Sequence, residues 1–226
     1  MPKKTFQNLP DFKRDRIISV AAAEFAANPY EVASISNIVR QAGIAKGSFY
    51  QYFEDKKDLY CFLIELGIAE KQNLMKELPV SDPSSDLFGY IRWLFQSAVN
   101  FELQHPLLAQ ITYRAFVEEV PFPEMREELQ RRGTTQFFKQ LVSQGILHGD
   151  IAPWVDPDLA AFLMEAIYYQ FGKYFTDRLG LSKPELTENS LLGDEEAQQL
   201  ISNLMDLFQA GMQRDPEQRK TYYRKD

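Results

Sequence analysis

The chain has 226 residues, 45% of them hydrophobic, and a formal net charge of −7, enough apolar surface for one sizeable core or for a small domain beside a larger one. The longest apolar run, 159–171, carries Glu165 and falls short of the roughly 18–20 residues a membrane helix needs, and the polar start of the chain lacks the apolar stretch of a secretory signal. Cys61 is the single cysteine, so no intrachain disulfide can form, and the expected setting is a reducing cytoplasm with no membrane partner.

Apolar spacing predicts helices almost throughout. The first runs over 12–27, with Phe12, Ile17, Ile18, Ala21 and Phe25 assigned to one face, and Asn28-Pro29 ends it. Ser34 then caps a short helix carrying Ile35, Ile38, Val39 and Ala42 at i, i+3, i+4 and i+7, and Gly43 closes it. A second short helix follows at 45–53, and a long one at 56–77 bears Leu59, Phe62, Leu63 and Leu66. Further helices are expected at 84–104, 106–118, 122–145, 156–179 and 195–213, separated by prolines and glycines. Asp156 is placed to cap the fourth of these, with Pro157 at its first position. Residues 180–194 read as a loop and the polar C-terminus as a frayed tail. No strand alternation is present, so the expected class is all-α.

Charge divides along the same line as the elements. Residues 1–60 hold nine Lys/Arg against seven Asp/Glu, and the remaining 166 hold 16 against 25. A slightly basic head thus precedes an acidic body, an asymmetry compatible with nucleic-acid contact by the head and equally with chance fluctuation.

Two short helices joined at Gly43 suggest a helix-turn-helix. In the second, AKGSFYQYF, helical geometry turns Phe49 and Phe53 inward with Ala45. Gln51 falls opposite them, flanked by Gly47 and Ser48, with Tyr50 and Tyr52 on the shoulders and Lys46 at the start. Gln and Lys can read base edges in a major groove. Tyrosine and serine hydroxyls suit phosphate oxygens, and a glycine permits close approach. A merely solvated helix would carry Glu, Lys and Ala instead.

The run SISNIVRQAGIAKGSFYQYFEDKKDLY, Ser34 to Tyr60, closely resembles the DNA-binding head of the TetR family of bacterial transcriptional regulators. Matching positions are Ser34, Ile38, Ala42-Gly43-Ile44, Lys46-Gly47-Ser48, Tyr50, Tyr52-Phe53, Lys56 and Leu59. The resemblance implies a three-helix head at 1–55 and a larger helical ligand-binding and dimerisation domain at 56–226. It implies that Lys46, Gly47 and Gln51 approach bases, that Ser34, Ser48, Tyr50 and Tyr52 hold phosphates, and that Lys56 meets a further phosphate. Two positions depart from the family pattern. Ala45 stands where a Ser or Thr cap is usual, a loss of about 1 kcal/mol, and Val39 replaces a common alanine. Lys3, Lys4, Lys13, Arg14 and Arg16 are candidates for backbone or minor-groove contact, or else ordinary solvated charges.

The body is rich in aromatics at helical spacing, most of which belong in a core. The resemblance implies an effector pocket among them, for which Trp93, Phe116, Phe137, Met164, Tyr168 and Phe171 are the candidate lining. Few charges fall on the apolar faces, which points to a small hydrophobic or aromatic effector. Arg114, Arg131 and Arg132 could meet an acidic group on it or form surface salt bridges. His105 and His148 stand apart without a second ligand at metal spacing, so neither a metal nor a cofactor is expected. No catalytic constellation is present either.

The last helix has apolar residues on two sides, Leu200, Leu204, Leu207, Phe208 and Gly211 on one and Ile201, Met205 and Met212 on the other. Two apolar sides need two partners, and the resemblance implies a homodimer through the last two helices. The expected function is a repressor that binds a near-palindromic double-stranded operator and is released by its effector. An activator, a ligand-independent regulator of the same fold and a helical protein-interaction module are the alternatives.

Overall fold

The structure, a computed structural model, describes residues 2–77, 80, 82–117, 121–131, 134–180 and 195–212. The helices are α1 (Lys4–Gln7), α2 (Asp11–Ala27), α3 (Ile35–Ala42), α4 (Lys46–Tyr52), α5 (Lys56–Glu77), α6 (Leu87–Gln104), α7 (Pro106–Val117), α8 (Pro123–Arg131), α9 (Thr134–His148), α10 (Pro157–Arg178) and α11 (Glu195–Met212). No strand occurs among the described residues, and the fold is all-α. Arg132, residues 181–194 and the tail from 213 lie outside the described residues, as does the side chain of Arg131.

Packing groups residues 1–73 with 104–131, and residues 74–103 with 132–226. In the first group α2 buries Ile17, Ala21 and Phe25 at i, i+4 and i+8. Phe12 is 77% exposed rather than on that face, because five residues carry it well round the helix from Ile17. The ends of α3 follow their sequence signals. Ser34 Oγ accepts the Asn37 N–H at 3.4 Å. Gly43 takes φ 72°, a left-handed conformation open to glycine at little cost. There the Ile44 N–H reaches Val39 O at 3.0 Å and the Gly43 N–H reaches Arg40 O at 3.3 Å, the paired bonds of a Schellman ending. Asp55 caps α5 by accepting the Asp58 N–H at 2.8 Å, and Asp58 accepts the Glu54 N–H at 3.1 Å.

α7 and α8 complete this group. Arg114 Nη1 donates to Phe25 O near the end of α2 at 3.1 Å, so this arginine serves the scaffold. Lys57 pairs with Glu124 while its ammonium lies 4.6 Å from the centroid of the Phe122 ring, a cation–π contact. Phe122 in turn meets Tyr30 edge-on at 4.7 Å.

In the second group α6, α9, α10 and α11 enclose one apolar core. Phe95 is fully buried at its centre, 5.7 Å from Tyr168, 5.6 Å from Phe171 and 5.5 Å from Phe208 by ring centroids. α6 begins at Leu87, later than the spacing suggested, because Asp86 Oδ1 accepts the Gly89 N–H at 2.8 Å and sets the cap there. α10 begins as expected, with Asp156 Oδ1 accepting the N–H groups of Asp158 and Leu159 at 2.9 Å and Pro157 following. Gly172 lets α6 and α10 approach closely, since a Cβ there would lie 3.0 Å from Ala98 O.

Within the single helix expected at 122–145 the structure describes helix over α8 and α9, and residues 132–133 between them lie outside the described residues. Thr134 and Thr135 of α9 bring their hydroxyls to the two Glu165 carboxylate oxygens. α11 buries Ile201, Met205, Phe208 and Met212. Phe208 therefore joins that face at i, i+4, i+7 and i+11, and only Leu207 and Gly211 of its expected companions are left exposed.

Candidate nucleic-acid interface

The site is the α3–turn–α4 unit. Its inner side is anchored by Ile38, Phe49 and Phe53, all fully buried. Glu24 on α2 is buried and accepts the Ser34 N–H at 2.9 Å, which ties the start of α3 to α2. Phe49 and Phe53 stand 5.7 Å apart, and Phe53 lies 5.9 Å from Phe62 on α5.

The outer side presents Lys46, Gly47 and Gln51, all exposed. No atom lies within 4 Å of where a Gly47 Cβ would stand, so close approach from outside is open. Tyr50 is 45% exposed and braces its ring edge-on against Phe49 at 5.2 Å. Ser48 and Ser34 are half-buried at the margins. A donor–acceptor amide, an ammonium, a phenol and two hydroxyls thus share a surface carried on a rigid apolar base. Such a surface can hydrogen-bond base edges and phosphates without first ordering itself.

Three expectations change. Ala45 is exposed rather than inward. Tyr52 is only 7% exposed, its ring 6.0 Å from Phe6, because α1 covers the shoulder on which the helical wheel places it. Lys56 does not project outward. Its Nζ donates to the carbonyls of Tyr30 at 2.7 Å, Glu31 at 3.2 Å and Ala33 at 3.1 Å. An ammonium has three donors, and all three are engaged, with the Tyr30 ring centroid 4.5 Å away. Burial, aided by the nearby Asp55 charge, pushes the Tyr30 phenol up to about 12, so it stays neutral near pH 7. Lys56 staples α5 to the α2–α3 connection.

The flanking arginines also hold the head together. Arg14 pairs with Asp11 at 2.6 Å and donates to Gln7 O at 3.3 Å. Arg16 donates to Gln41 O at 3.2 Å. The sequence reading missed Glu24, and it missed Phe6, whose one signal is a lone large apolar residue in a polar arm.

The candidate effector residues fall in both packing groups. Phe116 belongs to the first packing group and the other five to the second. Met164, Tyr168 and Phe171 are core, and Phe137 is 38% exposed. Half-buried Trp93 lies 5.2 Å from Tyr90, and its indole N–H has no acceptor among the described residues. A cavity of about 400 Å³ opens elsewhere, between α10 and α11, lined by Trp154, Leu159, Leu163, Met164, Leu207 and their neighbours. His105 Nε2 lies 4.0 Å from Glu70. No described helix is long and apolar enough to cross a membrane.

Residues 17–60 match the family model described as bacterial regulatory proteins, tetR family. Residues 85–213 match that of the tetracyclin repressor-like C-terminal domain. A solved structure, a TetR family transcriptional regulator from Chloroflexus aurantiacus J-10-FL, is 40% identical with a TM-score of 0.85, over 95% of this chain and 100% of that one. The HTH-type transcriptional regulator YhgD of Bacillus subtilis is 24% identical over 69% of this chain and 80% of its own length. The fatty acid metabolism regulator protein of Bacillus subtilis is 25% identical over 64% of this chain and 74% of its own.

Proposed function

Since the chain belongs to the TetR family, and is therefore a DNA-binding transcriptional regulator and not an enzyme, we propose that it acts in the cytoplasm as an effector-released repressor. The carrying observation is the exposed face of α4, with Lys46, Gly47, Gln51 and Tyr50 on a buried aromatic base. In this reading Lys46 and Gln51 read base edges, Gly47 admits the groove, and Ser34, Ser48 and Tyr50 fix the register on phosphates. Tyr52 and Lys56 support that face from behind.

The head at 1–55 binds DNA, and 56–226 dimerises and senses. Dimerisation is supported by the apolar outer faces of the last two helices, where Phe162 is 61% and Leu207 72% exposed. Leu159, Leu163 and Tyr174 extend that surface. Exposed apolar area of this kind marks an interface. A two-fold dimer sets two α4 helices about one DNA turn, roughly 34 Å, apart, so the operator is a near-palindrome. The aromatic body favours a small, largely hydrophobic effector. DNA and effector then oppose each other through one coupling free energy, which acts equally in both directions.

Selection of bound fragments from random and genomic DNA at near-physiological salt tests this reading. One enriched near-palindrome is expected. Weak, strongly salt-dependent binding without a motif would mean that the head lacks base readout.

A further inference from the structure

α4 is poorly built to hold its own shape. It has seven residues, fewer than the about 12–15 at which an isolated helix becomes even marginally stable. Ala45 offers its first turn no side-chain cap, and Gly47 adds backbone freedom. At the other end a helix leaves its last four carbonyls without partners inside itself, here those of Phe49, Tyr50, Gln51 and Tyr52.

All four are met, three of them from the N-terminal arm. Phe49 O accepts the Phe53 N–H at 2.9 Å. Tyr50 O accepts from Lys3 Nζ at 2.8 Å, Gln51 O from the Thr5 hydroxyl, and Tyr52 O from the Lys3 N–H at 2.8 Å. The Lys3 ammonium also sits at the negative end of the α4 dipole. Phe6 fastens this segment in place. It is 1% exposed, with its ring 4.8 Å from Phe53, 5.7 Å from Phe62 and 6.0 Å from Tyr52.

We propose that residues 3–6 are a clamp on the reading helix: Phe6 anchors the arm, and Lys3 and Thr5 cap the α4 C-terminus so that its outer face is held ready for DNA. Lys3 is then a positioning residue and not a phosphate contact. This rests on the reading of α4 as the DNA-reading helix. It adds that operator affinity is set in part by groups that never touch the operator.

The test uses the full-length protein and the variants Lys3→Met, Thr5→Val and Phe6→Ala. Amide hydrogen exchange across residues 48–53 is read without DNA, and operator affinity is read as a function of salt. The clamp predicts faster exchange in α4 for all three variants, largest for Phe6→Ala. It predicts operator affinity lowered about tenfold for Lys3→Met, with the slope of log affinity against log salt unchanged. A slope reduced by about 0.9, the signature of one lost phosphate contact, would overturn the proposal. Unchanged exchange in Lys3→Met and Thr5→Val, the two variants that leave the Phe6 anchor intact, would also overturn it. Because exchange is measured without DNA, the clamp is judged even if no operator preference exists, and that second result would count against the function reading alone.

Discussion

The head and the body use aromatic residues in opposite ways. In the head Phe49, Phe53, Phe6 and Phe62 form a small ring cluster that backs a polar outer face. The charged and polar groups behind that face, Lys56, Arg14, Arg16 and Glu24, tie backbone carbonyls and helix ends together. In the body Phe95, Tyr168, Phe171 and Phe208 fill a broad core, and the apolar surplus appears outside, along α10 and α11. The head turns a polar face outward, suited to a polar polymer, and the body turns an apolar face outward, the face proposed above for a second subunit. Which face is left open, more than how much is buried, distinguishes a reader of DNA from a subunit interface.

Mutations can break this contrast at known points. Phe95→Ala empties the body core and should cost about 3–5 kcal/mol, read as a large fall in the urea midpoint. Phe162→Asp puts a charge into the proposed dimer face and should cost association on the order of 3 kcal/mol, roughly a hundredfold in dimer affinity, by sedimentation equilibrium. An unaltered dimer would place the interface elsewhere. Lys56→Met removes three charge-assisted bonds and should cost about 2 kcal/mol of stability while leaving the salt slope of DNA binding intact. A slope lower by about one would return Lys56 to the phosphates. Tyr50→Phe, the smallest change, should weaken binding to all sequences alike by about 1 kcal/mol.

Legibility follows the same contrast. Ser34, Gly43, Asp156 and Pro157 could be read because a cap or a left-handed turn is a local demand on residue type. So could the inward Phe49 and Phe53, since neighbours on one short helix fix them. Tyr52 and Lys56 could not. A helical wheel gives direction but not what lies there, and the partners of these residues are Phe6, some 46 positions away from Tyr52, and the carbonyls of 30–33. The effector lining was the least legible, since an aromatic residue in a core and one beside a ligand leave the same spacing. Of its six candidates three are core, one is 38% exposed and one lies in a different packing group from the rest.

Operator selection run in parallel on the wild-type protein and Gln51→Ala tests the central claim, that the outer face of α4 reads bases. A lost bidentate base contact is worth about 1–3 kcal/mol of discrimination. The expected result is one near-palindrome for the wild type, and for the variant the same motif with preference relaxed at one symmetric position in each half-site. An identical preference in both proteins would contradict the claim and put base readout somewhere other than Gln51.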